Sequence, residues 1–534
     1  MTRLISLLAV AGVAATSARG SISENEIRAH VRLLASDLLE GRGPATRGDA
    51  LAESYVAAQF ESMGLVPAGA DGGYFQPFEM VGIRAAPGTL RFASGGKSEA
   101  FRLGEEAIVV SGAAVTHTQV EAEVVFVGYG IVAPEFQWND FKDVDLKGKM
   151  LLVMNNDPES DPKLFAGKTR LWYGRWDYKF EQAARTGAVG AIIIHTTPSA
   201  GYPWGVIQSS WSGEQFSLPQ EGASRALPVK AWLTDAAALR LVAMGGKDLN
   251  VLRAAAERRD FKPVPLGVRV STEFTSTVEH ARTANVLGLL PGSDAKLKNQ
   301  WVLFTAHHDH LGKRQNGKPG EDVIYNGAVD NASGVAQLLA IARAFTKLPT
   351  RPRRSILFAA VGAEEQGLLG SEYLAHHLPV PANDVAADIN IDGANIFGRT
   401  SDVAVIGLGK TNLDATLARL AALQHRVLKS DLRPDRGFFY RSDQFSFARV
   451  GIPAAYFSSG LEYRGRPTGW GYAHQEAYVE QHYHQPSDEL TSAWDLSGAV
   501  EDCELSFQLG RAVANAQAMP RWTPGDEFEA RRRE

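Results

Sequence analysis

WVLFTAHHD, residues 301–309, decides how the chain is read. Six mostly apolar, β-favouring residues describe a strand buried on both faces, and two histidines and an aspartate follow at once at its carboxyl end. Open α/β sheets keep their chemistry at that end of their strands. Side chains alternate along an extended chain, so His307 and Asp309 share one side and His308 takes the other. That spacing lets His307 bind a metal while Asp309 orients it or a nearby group.

Further segments downstream carry metal-competent groups. In AVDNASG (328–334), Asp330 precedes Ser333, which is expected to N-cap a helix whose Val335, Leu338, Leu339, Ala342 and Phe345 form an apolar stripe. SILFAAVGAEEQG (355–367) is a second buried strand ending in Glu364 and Glu365. Adjacent residues of a strand face opposite ways, so both carboxylates serve one site only where the chain leaves the sheet, and Gly367 marks such a bend. AADINID (386–392) finishes at Asp392, preferred here over Asp388, which is expected to face a different side. In HYHQPSDE (482–489), Pro486 and Asp488 specify a turn that holds His484, ranked above His482.

Composition narrows the chemistry. At 534 residues and 45% hydrophobic content the chain can bury more than one core, and a net charge of −5 gives no reason to expect nucleic acid or an anionic membrane as partner. With Cys503 the single cysteine, any metal must be held by imidazole and carboxylate. Residues 1–20, with Arg3 ahead of LISLLAVAGVAA and then small residues, read as a signal peptide; the mature chain is expected to start near Ser21 and work in the periplasm or outside the cell, without a stable membrane anchor. Residues 21–81 read as helical, with a capping box at Ser23 and Glu26 and a second helix over 49–63.

Residues 82–280 change character. Strand-like EVVFVGYG (123–130), KMLLVMNN (149–156) and AVGAIIIH (188–195) are separated by turn-rich segments, with one helical stretch, YKFEQAARTG. Here the sequence resembles a protease-associated domain, a small β-rich module inserted in several secreted peptidase families. Trp172, Trp176, Trp204 and Trp211 are expected to serve packing. Residues 281–520 carry the catalytic motifs, and 521–534 read as a solvated charged tail.

HHD (307–309), DNASG (330–334), EE (364–365), NID (390–392) and YHQPSD (483–488) together resemble the zinc aminopeptidase family M28, in the family's order. The resemblance implies a mixed, mostly parallel α/β sheet flanked by helices and a centre of two zinc ions per chain. His307, Asp330 and Asp392 would hold one ion, and Asp330, Glu365 and His484 the other. It further implies Glu364 as general base acting on peptide substrates, Tyr483 or Tyr440 as oxyanion donor, and a cis peptide after Asp330. Ser442 and Asp443 are expected beside the substrate pocket. A carboxypeptidase on the same scaffold would need a guanidinium for the terminal carboxylate, for which Arg436, Arg441, Arg464 and Arg466 are available. A single-zinc glutaminyl cyclase and a non-enzymatic binding protein are weaker alternatives.

Overall fold

The computed structural model describes residues 22–86, 88–161, 163–211, 213–219, 226–314 and 317–533. The expected signal peptide lies outside the described residues. Among those described, no helix is long and apolar enough to cross a membrane.

The fold is α/β, an open mixed sheet with helices against it. At its centre the strand Trp301–His307 runs parallel to both Ser355–Val361 and Val385–Asn390, and Val385–Asn390 runs parallel to Ala454–Ser459. Asp402–Ile406 joins Ala454–Ser459 antiparallel and carries Val427–Ser430 at the edge. On the other side, Val264–Leu290 pairs antiparallel with Ser355–Val361 through its last residues. The two central strands beginning at Trp301 and Ser355 are buried at every position, as continuous apolar runs require when helices cover both faces.

The helices meet the sheet with the stripes read from the sequence. Glu24–Leu34 buries Ile27, Val31 and Leu34, and its N-cap Ser23 accepts from the Glu26 N–H at 3.3 Å. Arg47–Ser62 buries Val56 and Phe60 against the same core, which includes Phe304, Leu338 and Phe345 of the sheet and of Ser333–Thr346. Ser333 does not cap that last helix. It lies inside the first turn and donates to the Val329 carbonyl at 2.7 Å, while Asn331 Oδ1 accepts the Gly334 N–H at 3.0 Å. Asn331, three residues ahead of Gly334, has the reach that Ser333 lacks.

A second sheet is built from residues between the N-terminal helices and the Trp301 strand. Met150–Met154 and Gly190–His195 run parallel, flanked by His117–Phe126 and Val229–Thr234, also parallel to them. Around these lie the helices Trp176–Arg185, Trp204–Trp211, Asp235–Met244 and Leu249–Ala256. The single helical stretch read from the sequence understates this. Asp235–Met244 and Leu249–Ala256 are Ala- and Leu-rich and are capped by the Thr234 and Asp248 side chains. The 27-residue strand Val264–Leu290 belongs to both sheets, pairing with Phe75–Ala85 along Ser276–Val286.

The C-terminal segment is packed rather than solvated. Trp522 and Phe528 are buried, and Glu527 accepts from Lys410 at 2.7 Å and from the Tyr440 hydroxyl at 2.6 Å. Two aromatic anchors among the charges hold the segment down, and net composition conceals them.

Candidate metal centre and cleft

The site forms where the central strands end. His307 is the last residue of its strand, Asp392 stands two residues beyond Asn390, and Glu364 and Glu365 follow Val361 after a reversal. Ala363 makes that reversal with a φ of 56°, a left-handed conformation rare for a side chain with a Cβ. Both adjacent carboxylates therefore reach the same cleft. His484 also has a positive φ, 59°, within the turn after the helix Trp470–Gln481. The peptide between Asp330 and Asn331 is cis.

Asp330 stands between two imidazoles. Its Oδ1 lies 3.2 Å from His307 Nε2, and its Oδ2 lies 3.2 Å from His484 Nε2. His307 Nε2 is also 3.4 Å from Asp392 Oδ1, and His484 Nε2 is 3.2 Å from Glu365 Oε2. A ring nitrogen has one in-plane direction, for a proton or for a lone pair, and here each faces two carboxylate oxygens. Zinc bonds of about 2.0–2.2 Å to nitrogen and oxygen in tetrahedral geometry give ligand–ligand edges of about 3.3 Å. The observed separations match those edges on both sides of Asp330, so the residues fit two zinc ions.

Supporting contacts fix these side chains. Asp309 accepts the backbone N–H of Glu364 at 3.0 Å through Oδ1 and that of Glu365 at 3.3 Å through Oδ2. Its Oδ1 is 3.7 Å from His307 Nδ1, so its hydrogen bonds go to the glutamate turn rather than to the ring. Asp488 accepts the N–H groups of Val329 and Asp330, each at 3.1 Å. The Ser442 hydroxyl donates to Asp392 Oδ2 at 2.6 Å. Asp443 is buried, and burial pushes its carboxyl up to about 7. His308 turns away as the alternation requires, with Nε2 at 3.1 Å from Asp49 Oδ1 on the helix Arg47–Ser62.

Glu364 is partly open to the cleft, and burial, reinforced by Glu365, Asp443 and Asp392, holds its carboxyl well above the usual range. Glu365 shares this burial, yet His484 and His310 outweigh it and bring its carboxyl down to about 2. Tyr483 lines the cleft with its ring stacked on His484 at 3.9 Å between centroids. Tyr440 is not brought to the site: it is buried, and its hydroxyl is donated to Glu527. Asp388 is bound to Thr305 at 3.0 Å, and His482 to Ser487 at 3.0 Å.

Three residues were not singled out from the sequence. His310 Nδ1 lies 2.7 Å from Glu365 Oε1, and its place in HHDH was the available signal. Tyr456, on the strand Ala454–Ser459, lines a pocket with Asp392. Arg42 is fully buried and donates to the carbonyls of His308, Asn326 and Gly327 at 2.8, 2.7 and 2.9 Å, tying together the two loops that carry the site.

With this geometry in place, the sequence profile of Peptidase family M28 matches residues 285–507, a span that contains every one of the residues His307, Asp330, Glu364, Glu365, Asp392 and His484. Over these residues the chain is similar to peptidase family M28. The chain is similar to Aminopeptidase NAALADL1 of Mus musculus, 35% identical over 24% of this chain and 16% of the mouse protein. It is 35% identical to a probable zinc metalloprotease of Pyrenophora teres f. teres over 45% of this chain and 53% of the fungal protein. These matches span about half or less of the relatives' own length. Among solved structures, an aminopeptidase from Aneurinibacillus sp. strain AM-1 shares the fold, with a TM-score of 0.51 at 20% identity over 92% of this chain and 93% of that one.

Proposed function

We propose that the protein is an exported di-zinc aminopeptidase that removes the first residue of peptides. The observation that carries this reading is the sharing of Asp330 between His307 and His484, with Glu364 beside them and open to the cleft. His307, Asp330 and Asp392 would hold one zinc ion, and Asp330, Glu365 and His484 the other. The ions supply Lewis acidity and acidify a water.

The protein's own groups do the rest. Glu364 takes a proton from the attacking water on a carboxylate oxygen and returns it to the departing amine. Asp309 keeps Glu364 in place through its backbone N–H. Tyr483, which lines the cleft, would donate to the oxygen of the scissile carbonyl as charge develops there. Glu364, Glu365 and Asp392 give the site a negative character that attracts the protonated amine of a peptide's first residue. Residues 1–20 direct export, so the recovered protein starts near Ser21.

Elemental analysis and a peptide assay test the reading together. Two zinc ions per chain and release of the first residue from free peptides, abolished by N-acetylation, are expected. A carboxypeptidase is the second reading, favoured by Arg436 and Arg441 in the cleft wall; removal of the last residue from acetylated peptides would establish it instead.

A further inference from the structure

The cleft leading to Glu364, Tyr483 and His484 has a volume of about 440 Å³, in the range of sites that hold small ligands. Its opposite wall is cationic. Arg170 and Arg175 come from the second sheet's unit, and Arg436 and Arg441 from the segment just ahead of Ser442. The two groups meet closely: the Arg170 N–H donates to the Pro434 carbonyl at 3.0 Å, and the Arg170 side chain packs across Gly437.

These guanidinium groups are unevenly paired. Arg175 is held by Asp177, with Nε at 3.1 Å from Oδ2. Arg170 is buried, yet the acceptors it bonds are neutral, Asn156 Oδ1 at 3.2 Å and the Ser199 carbonyl. Arg436 and Arg441 have no ion pair or side-chain hydrogen bond among the described residues, and Arg441 only rests over the Phe438 ring at 5.4 Å. Glu214, the acidic residue on this side of the cleft, is engaged by Arg84 at 3.6 Å. Burial lowers the Arg170 pKa; the nearby Asp157 opposes this, while Arg175 and Arg441, like charges, add to it. A concave cluster of cations in which Arg436 and Arg441 have no ion pair among the described residues is a receptor for an anion, and the planar fork of arginine matches a carboxylate.

We infer that the substrate places a carboxylate against Arg170, Arg436 and Arg441, so that the enzyme prefers short peptides carrying a carboxylate downstream of the bond it cleaves. The inference rests on the aminopeptidase reading. The carboxylate has two sources, the C-terminus of a dipeptide or an acidic side chain at its second position.

The test measures kcat/KM of the full-length, zinc-loaded protein on leucine p-nitroanilide, Leu-Gly, Leu-Gly amide, Leu-Glu amide and Leu-Gln amide. A C-terminal source predicts Leu-Gly over its amide by about 10- to 100-fold, the range of charge-assisted hydrogen bonds. A side-chain source predicts the same preference for Leu-Glu amide over Leu-Gln amide. In either case Arg441→Gln and Arg436→Gln, at sites free of described ion pairs, should bring the ratio toward one, chiefly through KM, and added salt should do so in the wild type. Equal rates on acids and amides, with the anilide cleaved, would overturn the inference and leave the aminopeptidase standing. A ratio that survives in both variants would overturn the assignment to these arginines. No cleavage of the anilide or of any free peptide would overturn the underlying reading.

Discussion

Asp309 holds Glu364 by its backbone, not its side chain: one carboxylate oxygen accepts the Glu364 N–H at 3.0 Å while the other takes that of Glu365 at 3.3 Å. The residue two places after His307 thus sets the position of the pair at the end of the neighbouring strand. Asp309→Ala removes two charge-assisted hydrogen bonds worth about 1.5–3 kcal/mol each. The expected outcome is a lower thermal midpoint and a fall in kcat of at least tenfold, read by calorimetry and by a peptide assay. Wild-type kcat in this variant would show that the turn holds itself.

The adjacent glutamates should separate by metal content. Glu364→Gln preserves shape but cannot take a proton, so zinc should stay bound while turnover falls by about 10²–10⁴-fold. In Glu365→Gln the loss of activity should accompany loss of zinc and be partly restored by excess metal. Identical zinc content in the two variants would remove the distinction between base and ligand.

His307→Ala, Asp330→Ala and His484→Ala should each lower zinc occupancy and abolish hydrolysis. His308→Ala should keep the metal, because its ring faces Asp49 across the sheet. Chelation of the wild type should abolish turnover and lower the thermal midpoint, since Asp330, Glu364, Glu365 and Asp392 are left facing one another, and zinc should restore both. Full activity of Asp330→Ala would rule out its shared position.

The tyrosines make opposite predictions. Tyr440→Phe removes a hydroxyl bonded to Glu527 and should reduce stability by about 1–3 kcal/mol without changing kcat. Tyr483→Phe, in the cleft, should lower kcat with little change in thermal midpoint. Steady-state kinetics beside urea unfolding would expose a reversal of these roles.

His30 supplies a pH dependence remote from the metal. Burial, with Arg343 nearby, lowers its pKa from 6.5 to about 4, and its Nδ1 meets the Tyr55 hydroxyl at 2.7 Å. Between those values the unfolded chain binds a proton that the folded chain refuses, so stability rises with pH from about 4 to 6.5 and is lost as pH falls through that window. The loss reaches up to about 3 kcal/mol. His30→Gln should flatten the acid limb of urea unfolding measured across it; an unchanged limb would assign it to other groups.

The sequence disclosed the catalytic sheet because its strands are continuous apolar runs with polar residues at one end, and both the burial and the turn positions follow from that pattern. Glu365 and Asp392 were legible by their place after such runs, Asp330 by its turn before a helix and His484 by the Pro486 and Asp488 turn. Other features were not. Arg42 acts by donating to carbonyls, which carry no sequence signal, and Tyr456 meets the site only because its strand pairs beside Val385–Asn390. Apart from Trp176–Arg185, the helices of the second unit escaped notice because their apolar residues lie among strands of similar composition. Ser333 looked like a cap because residue type was legible and the path of the five residues before it was not.

The strand Val264–Leu290 has one further consequence. At about 3.3 Å per residue it spans on the order of 90 Å of chain, and it is hydrogen-bonded in both sheets, through Phe75–Ala85 between them. Among the described residues, one continuous strand runs through both halves. The gap between Arg170 and His484 is therefore set like the jaw of a caliper, by the stiffness of a shared beam, and a single added residue in Ser276–Val286 would turn one jaw against the other by shifting every pair along it.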